Sequence, residues 1–297
     1  MKWAIVTPSY KLDHDQCVLM CESVDAFVQG DWHHYIIVNK VDFRLFSHLA
    51  GARRTILLNS DVLPPWLYYI GKLGRVRSGS MWFSWRTGII FGWHLQQITK
   101  MSMAFYLKED VLLLIDSDII VAREIKLDSF KTEDGLRICR TSAKNLEPGN
   151  PIAKFNASSQ LTLGLPTTTA HMDYCHPAVI WHRQTVLELC DYIGQRHKKH
   201  WVAAIYGYRL LSEGTLYGLY VDHLVKARNF FTRDEYTMVK GFPIDPVPNE
   251  QAIENYLSNC EQNEYVLVVP SVMQYDVNIL RRVFKKFLSN TSNRAKI

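Results

Sequence analysis

Several familiar signatures are missing from this sequence. It has no GxGxxG turn, no GxxxxGKS loop and no GxSxG elbow, so dinucleotide redox chemistry, P-loop NTP hydrolysis and serine-hydrolase chemistry lack their usual marks. Cysteine pairing is missing too. The six cysteines at 17, 21, 139, 175, 190 and 260 form no CxxC, and reduced thiols in a cytoplasmic compartment are expected. No run approaches the roughly 20 apolar residues needed to cross a bilayer, and the apolar opening from Met1 to Pro8 is too short for a signal peptide. Charge of one sign is also modest. At +5, with no Lys/Arg run interleaved with aromatics over the first three-quarters, the chain is not that of a nucleic-acid binder.

What is present describes a folded enzyme-sized chain. With 297 residues, 47% of them hydrophobic and 21% charged, order is expected almost throughout, because enough apolar surface exists to offset the entropy of ordering. Trp3 to Val6, closed by Thr7-Pro8-Ser9, reads as a buried first strand. Asp15 to Gln29 has helical apolar spacing with Gly30 as its stop, and Tyr35 to Val38 is a second strand. Strand, helix, strand within forty residues is the βαβ pattern of a parallel sheet. Thr55 to Leu58 reads as a third strand, Gly71 to Ser80 as a loop and Gly92 to Phe105 as a helix. Val111 to Ile115 is the most apolar strand candidate. Asn145 to Thr169 suggests long connections; helices are expected over Gln184–Tyr192, Val202–Ser212 and Glu250–Cys260, and a strand over Tyr265–Val269.

The predicted fold is α/β, a Rossmann-like mixed, mostly parallel sheet flanked by helices, as a single domain with an elaborated C-terminal half. Residues 1–280 form that domain, divided into 1–125 and 126–280, with 281–297 a basic tail. In the tail, Arg281 to Phe287 fits either an amphipathic helix on anionic lipid or a solvated terminal helix.

Chemistry concentrates at Asp116-Ser117-Asp118. Five apolar residues run into this triplet and Ile119-Ile120-Val121 follow it, so two carboxylates interrupt a continuous core. Unpaired buried carboxylates are costly, so a metal or cationic partner is expected. The end of a buried strand is also where open α/β sheets bind ligands. Mg2+ and Mn2+ prefer carboxylate oxygens and can bridge a diphosphate. Trp93, Gln96, Gln97 and Lys100 fall at helical spacings of three, four and seven, which puts a ring, two amides and an ammonium on one face. That face suits a sugar-nucleotide, or is an ordinary solvated one. Glu213 is either a base or acceptor ligand, or a helix cap; His223 either completes a metal shell or is structural. Asp173 is the other carboxylate placed to meet an acceptor. His171, His176 and His182 do not fit zinc-ligand spacing.

Four segments carry a resemblance. They are Val6-Thr7-Pro8-Ser9-Tyr10 with Asp15, Cys17 and Glu22; Gly92-Trp93 with Gln96-Gln97 and Lys100; Leu114 to Asp118; and Ser212-Glu213 with Leu216-Tyr217-Gly218. Over residues 3 to 225 the chain resembles a bacterial family of unknown function regarded as glycosyltransferase-like and related to GT-A enzymes. Gly214 departs from its pattern, where an aromatic residue is expected after Ser-Glu. The resemblance implies a GT-A-type fold, with 1–125 its nucleotide-sugar half and 126–280 its acceptor half, and a metal-dependent transfer of sugar from a nucleotide-sugar, a UDP-sugar by preference, to a glycan or lipid-linked acceptor in surface polysaccharide assembly. Asp116 and Asp118, with His223, would then hold Mn2+ or Mg2+. Thr7, Pro8, Tyr10 and Asp42 would contact the nucleoside, and Gln97, Lys100 and Asp116 the phosphate or sugar. Glu213 or Asp173 would serve the acceptor. A cytoplasmic protein touching the inner membrane peripherally is the expected setting. The alternatives are a catalytically silent nucleotide- or sugar-binding protein and a metal-dependent nucleotidyltransferase or phosphotransferase.

Overall fold

The most apolar stretches of the chain assemble the central sheet. A computed structural model describes the whole chain except residues 73–79, 134, 144–148, 169–171, 208–209, 226–229, 242–248, 261–262, 270–274 and 295–297. In chain order the elements that position the site are β1 (Trp3–Pro8), α1 (His14–Phe27), β2 (Trp32–Val38) and β3 (Arg54–Leu58). Next come β4 (Tyr68–Lys72), β5 (Ser80–Ser84), β6 (Gly88–Phe91), α2 (Gly92–Tyr106), β7 (Val111–Ile115) and β8 (Ile119–Val121). The second half supplies α3 (Pro151–Leu163), β9 (Ala178–His182), α4 (Arg183–His197), α5 (Glu213–His223), α6 (Glu250–Ser258), β10 (Val266–Val268) and α7 (Val277–Arg294).

The main sheet runs β9-β7-β1-β2-β3. Its β1/β2, β1/β7 and β2/β3 pairs are parallel, and β9 is antiparallel to β7. All residues of β1 and β7 are buried, as strands covered by helices on both faces must be. The fold is therefore α/β with a mixed, mostly parallel sheet, one domain in the Rossmann-like manner. Successive strands step from β1 to β3 on one side, and β7 starts again on the other. That reversal between β1 and β7 is the topological switch point, where ligands bind beyond the carboxyl ends of such sheets. Tyr10 follows one of those ends and Asp116 the other.

Beyond Ile115 the chain turns and enters a second small sheet, in which β8 pairs antiparallel with β10. Asp116 to Asp118 is the turn between the two sheets. Its backbone is pinned on both sides: Asp116 N–H donates to Pro177 O at 2.9 Å, and Val269 N–H donates to Asp118 O at 2.9 Å.

Several expected elements are corrected. Residues 145–169 are not simply connections, because α3 occupies Pro151–Leu163, capped by the Asn150 side chain and ended by Gly164 at φ +69°. The helix expected from Val202 to Ser212 is confined to Trp201–Ile205. Helix α1 stops at Phe27, and Gly30, at φ +119°, follows a two-residue strand, Val28–Gln29, rather than ending the helix itself. The ends of the expected Gly71–Ser80 loop belong to β4 and β5, which pair antiparallel, and residues 73–79 lie outside the described ones.

Arg281 lies within α7, which starts at Val277. Phe284 on α7 is fully buried and meets Phe27 of α1 at a ring-centroid distance of 6.2 Å. Three basic residues of α7 face protein acids: Arg281 pairs with Glu22, Arg282 with Glu250, and Lys286 with Glu254 at 2.7 Å. Among the described residues no helix is long and apolar enough to cross a membrane.

Candidate functional site

Lys100 is the residue around which the site is organised. It lies on α2, whose Gly92 start follows directly from β6 and whose body packs beside β1. Its Nζ is 2.8 Å from Asp116 Oδ1 and 2.9 Å from Glu213 Oε1. Burial alone would push the Lys100 ammonium down. The charges of Asp116 and Glu213, and the hydrogen bonds they accept, outweigh that and hold its pKa above the ordinary lysine value. The cation is thus locked on, bridging the switch-point turn to the start of α5.

Glu213 sits at the first position of α5. Ser212 is the N-cap, its hydroxyl accepting from Thr215 N–H at 3.3 Å, while Glu213 N–H donates to Gln97 Oε1 at 3.1 Å. Gln97 and Lys100, one turn apart on α2, therefore grip the backbone and side chain of the same residue. Gly214 and Gly218 of α5 each have a packing reason. A Cβ on Gly214 would lie 2.5 Å from Tyr174 O, and one on Gly218 would meet the Tyr174 ring at 2.1 Å. Tyr174 fills the notch these two glycines leave one turn apart, and its hydroxyl donates to Asp222 at 2.5 Å.

Asp173 precedes Tyr174 in the chain and sits beside that notch. Its Oδ1 accepts from Cys175 N–H at 2.8 Å. The Cys175 thiol is pushed up to about 11, by desolvation first and then by the Glu213 carboxylate, with Asp173 adding to it and Ser212 and Lys100 opposing. Asp173, Cys175, Ser212, Glu213, Lys100 and Asp116 form one neighbourhood drawn from four separate parts of the chain. On the far side of the turn, Ser117 Oγ donates to Asp13 Oδ2 at 3.2 Å and ties the loop after β7 to the loop after β1.

The nucleoside contacts expected near β1 have internal duties. Thr7 Oγ1 is 3.0 Å from His34 Nε2, and both are fully buried. Asp42 is buried, and Oδ2 accepts from Lys11 N–H at 3.3 Å, joining the loops after β1 and β2. Pro8 is a buried end of β1; Tyr10, half-buried, is the member of this set that begins the loop. His223 is not at the site. It ends the helix that Glu213 begins, about 15 Å away at the α-helical rise. His171 lies outside the described residues. Asp13 is a residue that the sequence reading passed over; an acid just past the first strand was the available signal for it.

Among the described residues no three His, Cys, Asp or Glu side chains form a metal-holding group. The donor set still suits a hard divalent ion bound jointly with a ligand, since Mg2+ commonly takes one or two carboxylates plus substrate phosphates. Two acids against one base leave the triad net negative, Asp118 follows two residues on, and the Asp116 side chain keeps 37% exposure, so a ligand can reach it.

Fold and site together define an α/β protein with a carboxylate turn at the switch point of a Rossmann-like sheet. A family model described as a family of unknown function, DUF6492, matches residues 4–289, and the chain belongs to that family. No curated protein matches the chain.

Proposed function

We propose that the protein is a metal-dependent glycosyltransferase of the GT-A type, acting on a nucleotide-sugar and a glycan or lipid-linked acceptor. The observation that carries this reading is the Asp116–Lys100–Glu213 bridge at the end of β7, which presents a partly exposed carboxylate at the switch point. A Mn2+ or Mg2+ ion held through Asp116 and Asp118 would take up charge on the donor diphosphate as it leaves. The protein's own groups have separate tasks. Lys100 orients Asp116 and Glu213, and so acts as a positioning residue. Gln97 fixes the start of α5. Glu213 is committed to Lys100, which leaves Asp173, half-buried at the rim, to receive the proton of the acceptor hydroxyl where transfer inverts the anomeric carbon. UDP-sugars are the donors to try first.

Thermal shift with UDP-, GDP-, CMP- and dTDP-sugars, with and without Mn2+, tests this reading. A ligand that binds only the folded state raises its melting temperature by mass action. One donor should stabilise the wild type in a Mn2+-dependent way and leave Asp118→Ala unmoved. No shift with any donor would remove the reading.

A further inference from the structure

Strands β4, β5 and β6 form a separate antiparallel sheet whose two faces differ in kind. Residues directly opposite on neighbouring strands share a face. Trp82 pairs with Ile90, and both are buried. Phe83 pairs with Tyr68 on one side and Ile89 on the other, and Met81 pairs with Phe91, so the opposite face is apolar as well. That face is open: Tyr68 is 60%, Ile89 40% and Phe91 44% exposed, with Trp93 just beyond at 41%. At the β5–β6 turn Trp85 is 94% exposed and meets Phe83 in a T-shaped contact. A soluble monomer rarely leaves aromatic side chains clustered in water without a partner.

Charge indicates which partner. Residues 62–91, the span of this sheet and its turns, contain no Asp or Glu and four Lys or Arg, in a chain whose net charge is only +5. Amphipathic aromatics in a stretch of sequence with cations and no acids are the composition of surfaces that sit at the headgroup level of a bilayer. The basic helix α7, the other candidate for that role, is turned inward on Phe284 and paired with Glu22, Glu250 and Glu254.

We infer that the outer face of β4–β6, with Trp85 at its tip, docks the protein on a bilayer surface carrying anionic headgroups. The face leads directly into α2, and Lys100 follows Trp93 by two turns, about 10 Å along the helix. Docking there sets the switch-point site beside the lipid surface. The inference does not depend on the chemistry at Asp116.

Flotation of the full chain with vesicles of phosphatidylcholine and phosphatidylglycerol, against phosphatidylcholine alone, tests it. Wild type should float with the anionic vesicles, less so as salt rises. The Trp85→Ser/Phe91→Ser variant should lose about tenfold in binding at an unchanged melting temperature. Lys286→Ala and Asp118→Ala should float as wild type, which separates this result from failure of the donor-binding reading. Absence of wild-type flotation, equal flotation of the double variant, or a wild-type dimer that the double variant dissolves without any vesicle binding would each overturn the inference; the last would show that a second copy covers the face.

Discussion

Lys100 is the residue on which most depends. Replacing it with Met leaves Glu213, with a side chain only 12% exposed, as an unpaired carboxylate. Breaking such a buried pair from one side costs about 3–5 kcal/mol, whereas removing both charges costs far less. Urea unfolding should therefore show Lys100→Met strongly destabilised and Lys100→Met/Glu213→Gln largely restored; a loss under about 1 kcal/mol for the single change would contradict the bridge as described. His34 gives a second residue-scale expectation. It accepts from Arg54 Nε at Nδ1 and shares a hydrogen bond with Thr7, so it is held neutral, and burial followed by the Arg54 charge lowers its pKa well below the usual value. The unfolded chain takes up this proton below about pH 6.5 while the folded chain does not, so the contribution to stability is present above that pH and falls with acid by about 1.4 kcal/mol per unit. His34→Gln should flatten the acid limb of the stability curve by that slope, and identical slopes would refute it. Neither arrangement was legible in the sequence. Lys100 reads there as a phosphate-binding ammonium on a helix face, because its two partners lie 16 and 113 residues away.

At the scale of elements, α7 separates two kinds of stabilisation. Phe284 is fully buried against α1, and Phe284→Ala should cost about 3–5 kcal/mol. Lys286→Ala removes an exposed ion pair and should cost less than about 1 kcal/mol. Denaturant midpoints of the two variants check this, and equal losses would mean α7 is held by charge rather than by packing. Strands such as Val111–Ile115 are readable because five consecutive apolar residues have one way to be buried. Helix α3 is harder, since its interior carries Asn156, Ser158, Ser159, Gln160 and Thr162. Its best signals, Asn150 before Pro151 and Gly164 after Leu163, are helix caps that look like loop punctuation when the interior is polar. The β4–β6 sheet escapes notice for a different reason: its apolar residues face both ways, so no alternation marks an inner side.

For the whole molecule, the sequence order of strands fixes where a ligand can bind more securely than any single motif does. The pair Asp116 and Asp118 was legible because it interrupts buried strand on both sides, and the fold sets it at the switch point beside the loop of β1. Distance along α5 removes His223 from that place, which could not be read without knowing that Glu213 begins the helix. What remains is a carboxylate turn, net negative, open on one side and braced by Lys100 from the other. The most direct test is Mn2+ binding followed by the loss of the free-ion electron paramagnetic resonance signal, with and without UDP, on wild type and on Asp116→Asn/Asp118→Asn. Wild type should bind Mn2+ more tightly when UDP is present, and the double variant should lose that coupling while staying folded. Mn2+ uptake that is the same in both proteins, or that no nucleoside diphosphate strengthens, would contradict a metal-bound donor at this turn.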